Sequence, residues 1–201
     1  MKERGRPRSF DRAAALRRAM EMFWAKGFEG ASMTDLTSAM GINSPSLYAA
    51  FGSKEKLFEE AVALYQESEG TEIWKALPEA PTAREAVEQF LRRTALSFTR
   101  KDKPAGCLIV LGALHADRGS EAACQFLQRQ RAGNVTALRE RLERGIRDGD
   151  LPAGMDCLKL AIFYATVQHG MSIQARDGAS RETLLAIADS AMAAWDPLIS
   201  G

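Results

Sequence analysis

The chain has 201 residues, 46% of them hydrophobic and 26% charged, with a formal net charge of +1. That length supports one large or two modest domains with an ample core, and no apolar run approaches the length of a membrane span. Three widely spaced cysteines without a CxxC pair and two isolated histidines argue against a disulfide framework or a metal cluster; they fit a reducing, cytoplasmic setting with no cofactor.

Charge is unevenly placed. The first 18 residues carry Lys2, Arg4, Arg6, Arg8, Arg12, Arg17 and Arg18 against Glu3 and Asp11, a net +5, so the other 183 residues sum to −4. Such asymmetry marks a nucleic-acid footprint at the N-terminal end. Residues 1–8 read as a basic, extended arm, whose Arg4, Arg6 and Arg8 suit an adjacent minor groove. A tail without a fixed partner is the plainer alternative. No apolar segment follows the basic residues, so no secretory signal is expected.

From Phe10 onward, Leu16, Met20, Phe23 and Trp24 keep helical spacing and Gly27 closes a first helix. Ser32 followed by Asp35 forms a capping-box-like start to a second, short helix with Leu36, Ala39 and Met40 on one face. Gly41 then occupies a C-cap position where a left-handed conformation costs least. Asn43 or Ser44 caps a third helix, and Pro45 is expected at its first position. Leu47 and Phe51 face inward, which leaves Ser44, Pro45, Ser46, Tyr48 and Ala49 outward.

This is the pattern of a helix-turn-helix. Small outward side chains let a recognition helix approach base edges, and serines can donate or accept there. Tyr48 is assigned to a phosphate, which fixes register without reading sequence. Ser53 caps a further helix whose Lys54 and free N–H groups form a phosphate clamp. Ser32, Thr34 and Asn43 complete the expected DNA-binding set. An ordinary helical corner without DNA is the alternative for this segment taken alone.

The fourth helix carries Leu57, Phe58, Ala61, Leu64 and Tyr65. Gly70 and the run Leu77-Pro-Glu-Ala-Pro81 mark a domain boundary, with a short helical piece around Trp74. The expected organisation is an arm over 1–8, a helix-turn-helix domain over 9–69, a linker over 70–81 and a helical domain over 82–198. Thr82 caps a helix bearing Val87, Phe90, Leu91 and Phe98. Residues 107–116 read as a buried helix rather than a strand. Ser120 begins a long helix, Asp156 to about Arg176 is nearly apolar all round, and Ser180 caps the last helix.

A final pair so apolar is expected to pack across a two-fold axis in a homodimer. Leu160, Phe163, Val167, Gly170, Met171, Ala188, Ala191, Met192 and Trp195 are the expected interface residues; a purely intramolecular core helix is the alternative.

With these residues in view, the chain resembles the TetR/AcrR family of transcriptional regulators along nearly its full length. The most specific stretch is Gly41-Ile-Asn-Ser-Pro-Ser-Leu-Tyr-Ala-Ala-Phe-Gly-Ser-Lys-Glu-Lys-Leu57, similar to the family's glycine, Leu-Tyr-x-x-Phe and Ser-Lys-Glu-x-Leu signature. Gly-Arg-Pro-Arg at 5–8, Gly106-Cys107-Leu108, Gly149-Asp-Leu-Pro152 and Gln174-Ala-Arg-Asp-Gly-Ala-Ser180 also resemble members. Thr37 and Ala50 depart from the pattern, and Ala50 removes one possible DNA contact. The resemblance implies an all-α homodimer, usually a repressor, that binds a palindromic double-stranded operator and is released when a small molecule enters the C-terminal domain.

For that effector, the apolar and polar residues to examine are Trp74, Phe90, Phe98, Cys107, Leu111, His115, Phe163, Tyr164 and Gln168. Core packing is the alternative for each, and His115 reads best as a structural residue. Cys107, after Gly106 and near Lys101 and Lys103, is expected to have a lowered thiol pKa and so to meet electrophiles; a buried hydrophobe is its alternative. A thiol-dependent enzyme and a helical adaptor are the competing functions. No Ser-His-Asp order, phosphate loop or metal-ligand pattern supports the first, and the second leaves the basic arm and the small-residue helix face without a role.

Overall fold

In the computed structural model, residues 10–115 and 119–200 are described. Among them every regular element is helical, in agreement with the all-α expectation. Helices α1 (Arg12–Gly30), α2 (Met33–Met40), α3 (Ser44–Phe51) and α4 (Lys54–Tyr65) form the N-terminal unit. Their apolar positions at three- and four-residue spacing meet in one core of Ala19, Met20, Phe23, Leu36, Leu47, Phe51, Leu57 and Phe58. The Phe58 ring meets Phe23 edge-on at 4.9 Å and Phe28 at 5.1 Å.

Helix α1 does not run unbroken. Gly27 has φ +75°, so the first helix breaks there and only a short turn continues to Gly30. The break frees the Phe28 N–H, which donates to the Gly112 carbonyl at 2.7 Å. That same bond corrects the expectation of a helix from 107 onward; Ala116, at its expected end, lies outside the described residues. Helix α8 (Leu108–Leu111) is a single turn, because Gly112 gives its carbonyl to α1 instead of continuing the ladder.

The segment over 70–81 is also different from a linker. A π turn over Gln66–Gly70 carries α4 into α5 (Thr71–Trp74) and α6 (Ala76–Glu79), and Ile73, Ala76, Leu77 and Ala80 are buried. Pro78 and Pro81 read as breakers, yet each stands where its missing N–H disturbs at most one short turn. The core therefore passes from one unit to the next without a gap.

Helices α7 (Ala83–Phe98), α9 (Glu121–Asp148), α10 (Cys157–Arg176), α11 (Arg181–Ala193) and α12 (Trp195–Ser200) complete the second unit. Thr82, Asp156 and Ser180 cap α7, α10 and α11 through their side chains. No helix is long and apolar enough to cross a membrane among the described residues.

Candidate nucleic-acid interface

The reading unit is set by local chemistry. The Ser32 hydroxyl accepts from the Asp35 N–H at 3.0 Å, while the Asp35 carboxylate accepts from the Ser32 N–H at 3.1 Å and from its hydroxyl at 2.7 Å. This is a complete capping box. Lys26 pairs with the same carboxylate at 2.9 Å. The hydrogen bond from Lys26, followed by that from Ser32, lowers the Asp35 pKa to about 2. The Ser32 hydroxyl is thus engaged at both ends, whereas Thr34 and Ser38 stand exposed on α2.

Gly41 closes α2 in the left-handed region at φ +69°, and the chain turns at once into α3. Asn43, not Ser44, is the cap: its side-chain oxygen accepts from the Ser46 N–H at 2.9 Å. Pro45 consequently lies at the second helical position rather than the first, still inside the turn whose N–H groups lack carbonyl partners. Leu47 and Phe51 are buried at 0% and 3% exposure, and Tyr48 on the opposite side is 50% exposed. Ser44, Pro45 and Ala49 are exposed beside it and Ser46 is half-buried. The expected outward face of α3 is present.

Two cations brace this unit. Arg12 reaches both oxygens of Glu60 at 2.8 Å, donates to the Ala50 carbonyl at 3.3 Å and lies over the Phe51 ring at 4.3 Å. It therefore ties α1 to the end of α3. Lys54 stands at the start of α4, where Ser53 accepts from the Lys56 N–H at 3.2 Å. Its ammonium is 4.4 Å from the Phe28 ring centroid, and burial pushes its pKa down against the pull of Glu29 and Glu55. The ring holds the ammonium at that helix start. Arg18, which the sequence offered only as part of the basic N-terminal charge, also belongs to this unit: a Cβ on Gly41 would lie 3.4 Å from its guanidinium, so Arg18 stands over the turn between α2 and α3. Arg4, Arg6 and Arg8 lie outside the described residues.

The second unit does not gather the nine expected effector residues around one cavity. Trp74 lines a groove with Arg141, Phe98 lines another with Arg181, Leu111 and His115 share a third with Lys26, and Phe163 lines a fourth with Leu198. Phe90 and Tyr164 are fully buried and Gln168 nearly so, with Tyr164 packed on Trp195 at 5.8 Å. The fold uses Phe90, Phe98, Cys107, Tyr164 and Gln168 in its packed interior.

Cys107 also differs from expectation. It is 5% exposed, and burial pushes its thiol pKa up against the lowering effects of the Tyr65 hydrogen bond and of Arg131. Lys103, expected to lower it, is instead paired with Glu21 at 2.9 Å and Glu69 at 3.3 Å. The surroundings of Cys107 nevertheless join the two units: the neighbouring Gly106 carbonyl accepts from Trp24 Nε1 of α1 at 3.1 Å, while the Cys107 N–H donates to the Ser172 hydroxyl of α10 at 2.8 Å.

The expected interface residues differ in their burial within the chain. Leu160, Met171, Ala188, Ala191, Met192 and Trp195 are buried within the chain itself, while Phe163 and Val167 are half-buried and Gly170 is exposed. The large apolar side chains that α10 leaves in solvent are Leu158, Ile162 and Ile173. A helix so nearly apolar gives little period from which its inward face can be chosen, and of the expected residues on α10 only Gly170 falls on the exposed stripe with Leu158, Ile162 and Ile173.

A capped helix-turn-helix on a small α-helical unit, continuous with a second helical body, defines a DNA-binding regulator. Residues 15–61 match the model of bacterial regulatory proteins of the tetR family. Over 199 residues the chain is 35% identical to the HTH-type transcriptional repressor ComR of Escherichia coli (strain K12), covering 98% of this chain and 95% of that one. It is 31% identical over 185 residues to the repressor BdcR of the same strain, covering 92% and 88%. A cysteine-substituted form of the TetR family regulator CifR, solved on a 26-base-pair double-stranded operator, superposes with a TM-score of 0.91 at 51% identity, covering 95% of this chain and 100% of that one. The chain belongs to the TetR family and is a DNA-binding transcriptional regulator.

Proposed function

We propose that this regulator is a repressor that binds a palindromic double-stranded operator as a two-fold homodimer and is released by a small-molecule effector. The observation that carries the reading is the outward face of α3, with Tyr48 half exposed between Ser44, Pro45 and Ala49 while Leu47 and Phe51 anchor the helix beneath. Small side chains at that face allow close approach to base edges, and Tyr48 with Lys54 and Arg18 suits phosphates on either side.

One such helix reads few base pairs. Two of them, about 34–36 Å apart, enter successive major grooves. The exposed stripe of α10 supports a symmetric pairing: Leu158, Ile162, Thr166, Gly170 and Ile173 fall at helical spacing, and its three large side chains are 46–49% exposed. Exposed large apolar side chains aligned along one helix favour an interface between copies.

The test is a mobility-shift titration with the chain's own upstream DNA, together with sizing in solution. Sequence-specific retardation by a dimer, weakening as salt rises, is the expected result. A monomer at micromolar concentration that retards no upstream fragment at low salt would end the reading.

A second route to release is favoured by the position of Cys107. Its thiol is hydrogen-bonded with Tyr65 of α4, so an adduct on sulfur has to displace a side chain of the DNA-binding unit from the second unit. Addition of the thiolate to the alkene of N-ethylmaleimide should then release DNA from the native protein but not from Cys107→Ser. Equal release from both removes Cys107 from the switch.

A further inference from the structure

A groove between α6 and the C-terminal half of α9 carries charges that the DNA-binding unit does not explain. Its volume is about 320 Å3, within the range of small-molecule sites, and its walls include Trp74, Leu77 and Pro78 on one side and Arg141, Arg144 and Arg147 on the other. Arg141 is only 4% exposed. Its Nη2 donates to the Ala80 carbonyl at 3.3 Å, while its Nε and Nη1 are buried with no hydrogen-bond partner.

A buried guanidinium with unused donors is costly unless an acceptor is supplied. The neighbouring charges do not supply one. Asp150 directs a carboxylate oxygen to the Ala83 N–H at 2.6 Å, and Asp148 pairs with Arg144 at 3.1 Å. Arg144 also donates to the Pro78 carbonyl at 3.4 Å, and Arg147 is exposed without an ion pair among the described residues. Glu140 is the one carboxylate in the lining, against three guanidiniums.

We propose that this groove binds a small organic anion, a carboxylate on an aromatic or otherwise apolar body. The carboxylate would meet Arg141 with Arg147, and the body would lie on Trp74, Leu77 and Pro78. Arginine suits a carboxylate as acceptor, and the apolar wall separates such a molecule from an inorganic anion. The inference deepens the effector reading: α6 continues through α5 and the π turn into α4, so an occupant touches the element that enters the DNA-binding unit. It rests on that reading only for its effect on DNA.

The experiment is calorimetric titration of the full-length protein with benzoate, benzamide and inorganic phosphate, with DNA retardation measured separately. Saturable benzoate binding is expected, with benzamide and phosphate weaker by roughly tenfold or more, the loss that one charge-assisted hydrogen bond represents. Arg147→Gln should weaken benzoate several-fold and Arg141→Met should abolish it, with unliganded DNA binding unchanged in both. Thermal melting checks that Arg141→Met folds; if it does not, Arg147→Gln at the exposed end carries the test. Absence of benzoate binding by the folded native protein overturns the site. So does unaltered affinity in Arg147→Gln, and equal binding of phosphate or benzamide overturns the ligand class. Failure to bind DNA at all would instead overturn the proposed function and leave the calorimetry standing.

Discussion

Arg176, at the last turn of α10, donates from Nη2 to the Trp24 carbonyl of α1 at 2.8 Å. The same guanidinium takes the Ala25 carbonyl at 3.0 Å and the Ala105 carbonyl at 3.1 Å. One side chain therefore holds the carbonyls before the Gly27 break and the loop leading to Cys107, joining the two units through three charge-assisted hydrogen bonds. A helix that breaks at Gly27 leaves the carbonyls just before it without their usual partners, and Arg176 satisfies two of them.

Arg176→Ala is accordingly expected to destabilise the protein by about 1–3 kcal/mol, the range for hydrogen bonds to a charged group. That corresponds to a fall in melting temperature of about 2–4 °C per kcal/mol for a chain of this size. Arg176→Lys should recover little, because an ammonium on a flexible stem cannot span three carbonyls on two segments. Thermal unfolding of the three proteins is the measurement; a lysine variant as stable as the native protein would refute the account.

Gly106 has φ +78°, and a Cβ there would lie 2.7 Å from the Ser172 carbonyl oxygen and 3.0 Å from its hydroxyl. Both the left-handed backbone and the close approach oppose any side chain. Gly106→Ala should therefore destabilise by at least about 1–3 kcal/mol and loosen the Trp24 Nε1 bond to the Gly106 carbonyl. Denaturant unfolding reports the first effect, and a change in tryptophan fluorescence the second.

Much of the reading unit was legible in the sequence because its signals are local. Ser32 with Asp35, Asn43 with Ser46, and Leu47 with Phe51 each act over three or four residues, and Gly41 closes its helix in place, so local spacing specifies the caps, the turn and the buried face. The groups that join the units are not local. Arg176 meets carbonyls 151 and 152 positions away. Its sequence signal was only the run from Gln174 to Ser180 that resembles one subgroup. The inward face of α10 is hard to read for the opposite reason: a helix so nearly apolar offers little contrast, and its inside is set by packing such as that of Tyr164 on Trp195.

Asp35 should show itself in acid. Its pKa lies at about 2, below the ordinary 3.8, because Lys26 and Ser32 favour the ionised carboxylate in the folded state. A folded-state pKa below the unfolded value means the stabilisation is fully present above about pH 4 and is lost as pH falls toward 2. Between these limits the unfolding free energy of the native protein should fall more steeply than that of Asp35→Asn. Parallel pH profiles would show that the ion pair with Lys26 is not maintained in solution.

Cysteine reactivity should rank by burial. Cys107 is 5% exposed with its pKa raised mainly by desolvation, while Cys124 is only partly buried and its thiol donates to the His115 carbonyl at 3.0 Å. Since the thiolate is the reacting species, iodoacetamide at neutral pH should label Cys124 before Cys107 in the folded protein. Peptide mass analysis over time gives the order, and unfolding should erase the difference. Faster labelling of Cys107 would mean that the Tyr65 hydroxyl and Arg131 outweigh burial at that sulfur.

Tyr48 offers the sharpest separation of binding from folding. Its ring is half exposed, so Tyr48→Phe should leave stability within about 0.5 kcal/mol of native, as surface substitutions do. Leu47 on the reverse of the same turn is fully buried, and Leu47→Ala should cost about 2–5 kcal/mol. If the Tyr48 hydroxyl meets a phosphate, its removal weakens binding to operator and unrelated DNA by a similar factor, since phosphate contacts carry no sequence information. Ser46→Ala, by contrast, should change the ranking among operator variants. Retardation titrations with a matched panel of duplexes distinguish the two effects. A Tyr48→Phe protein that lost only operator binding would place the hydroxyl on a base edge instead.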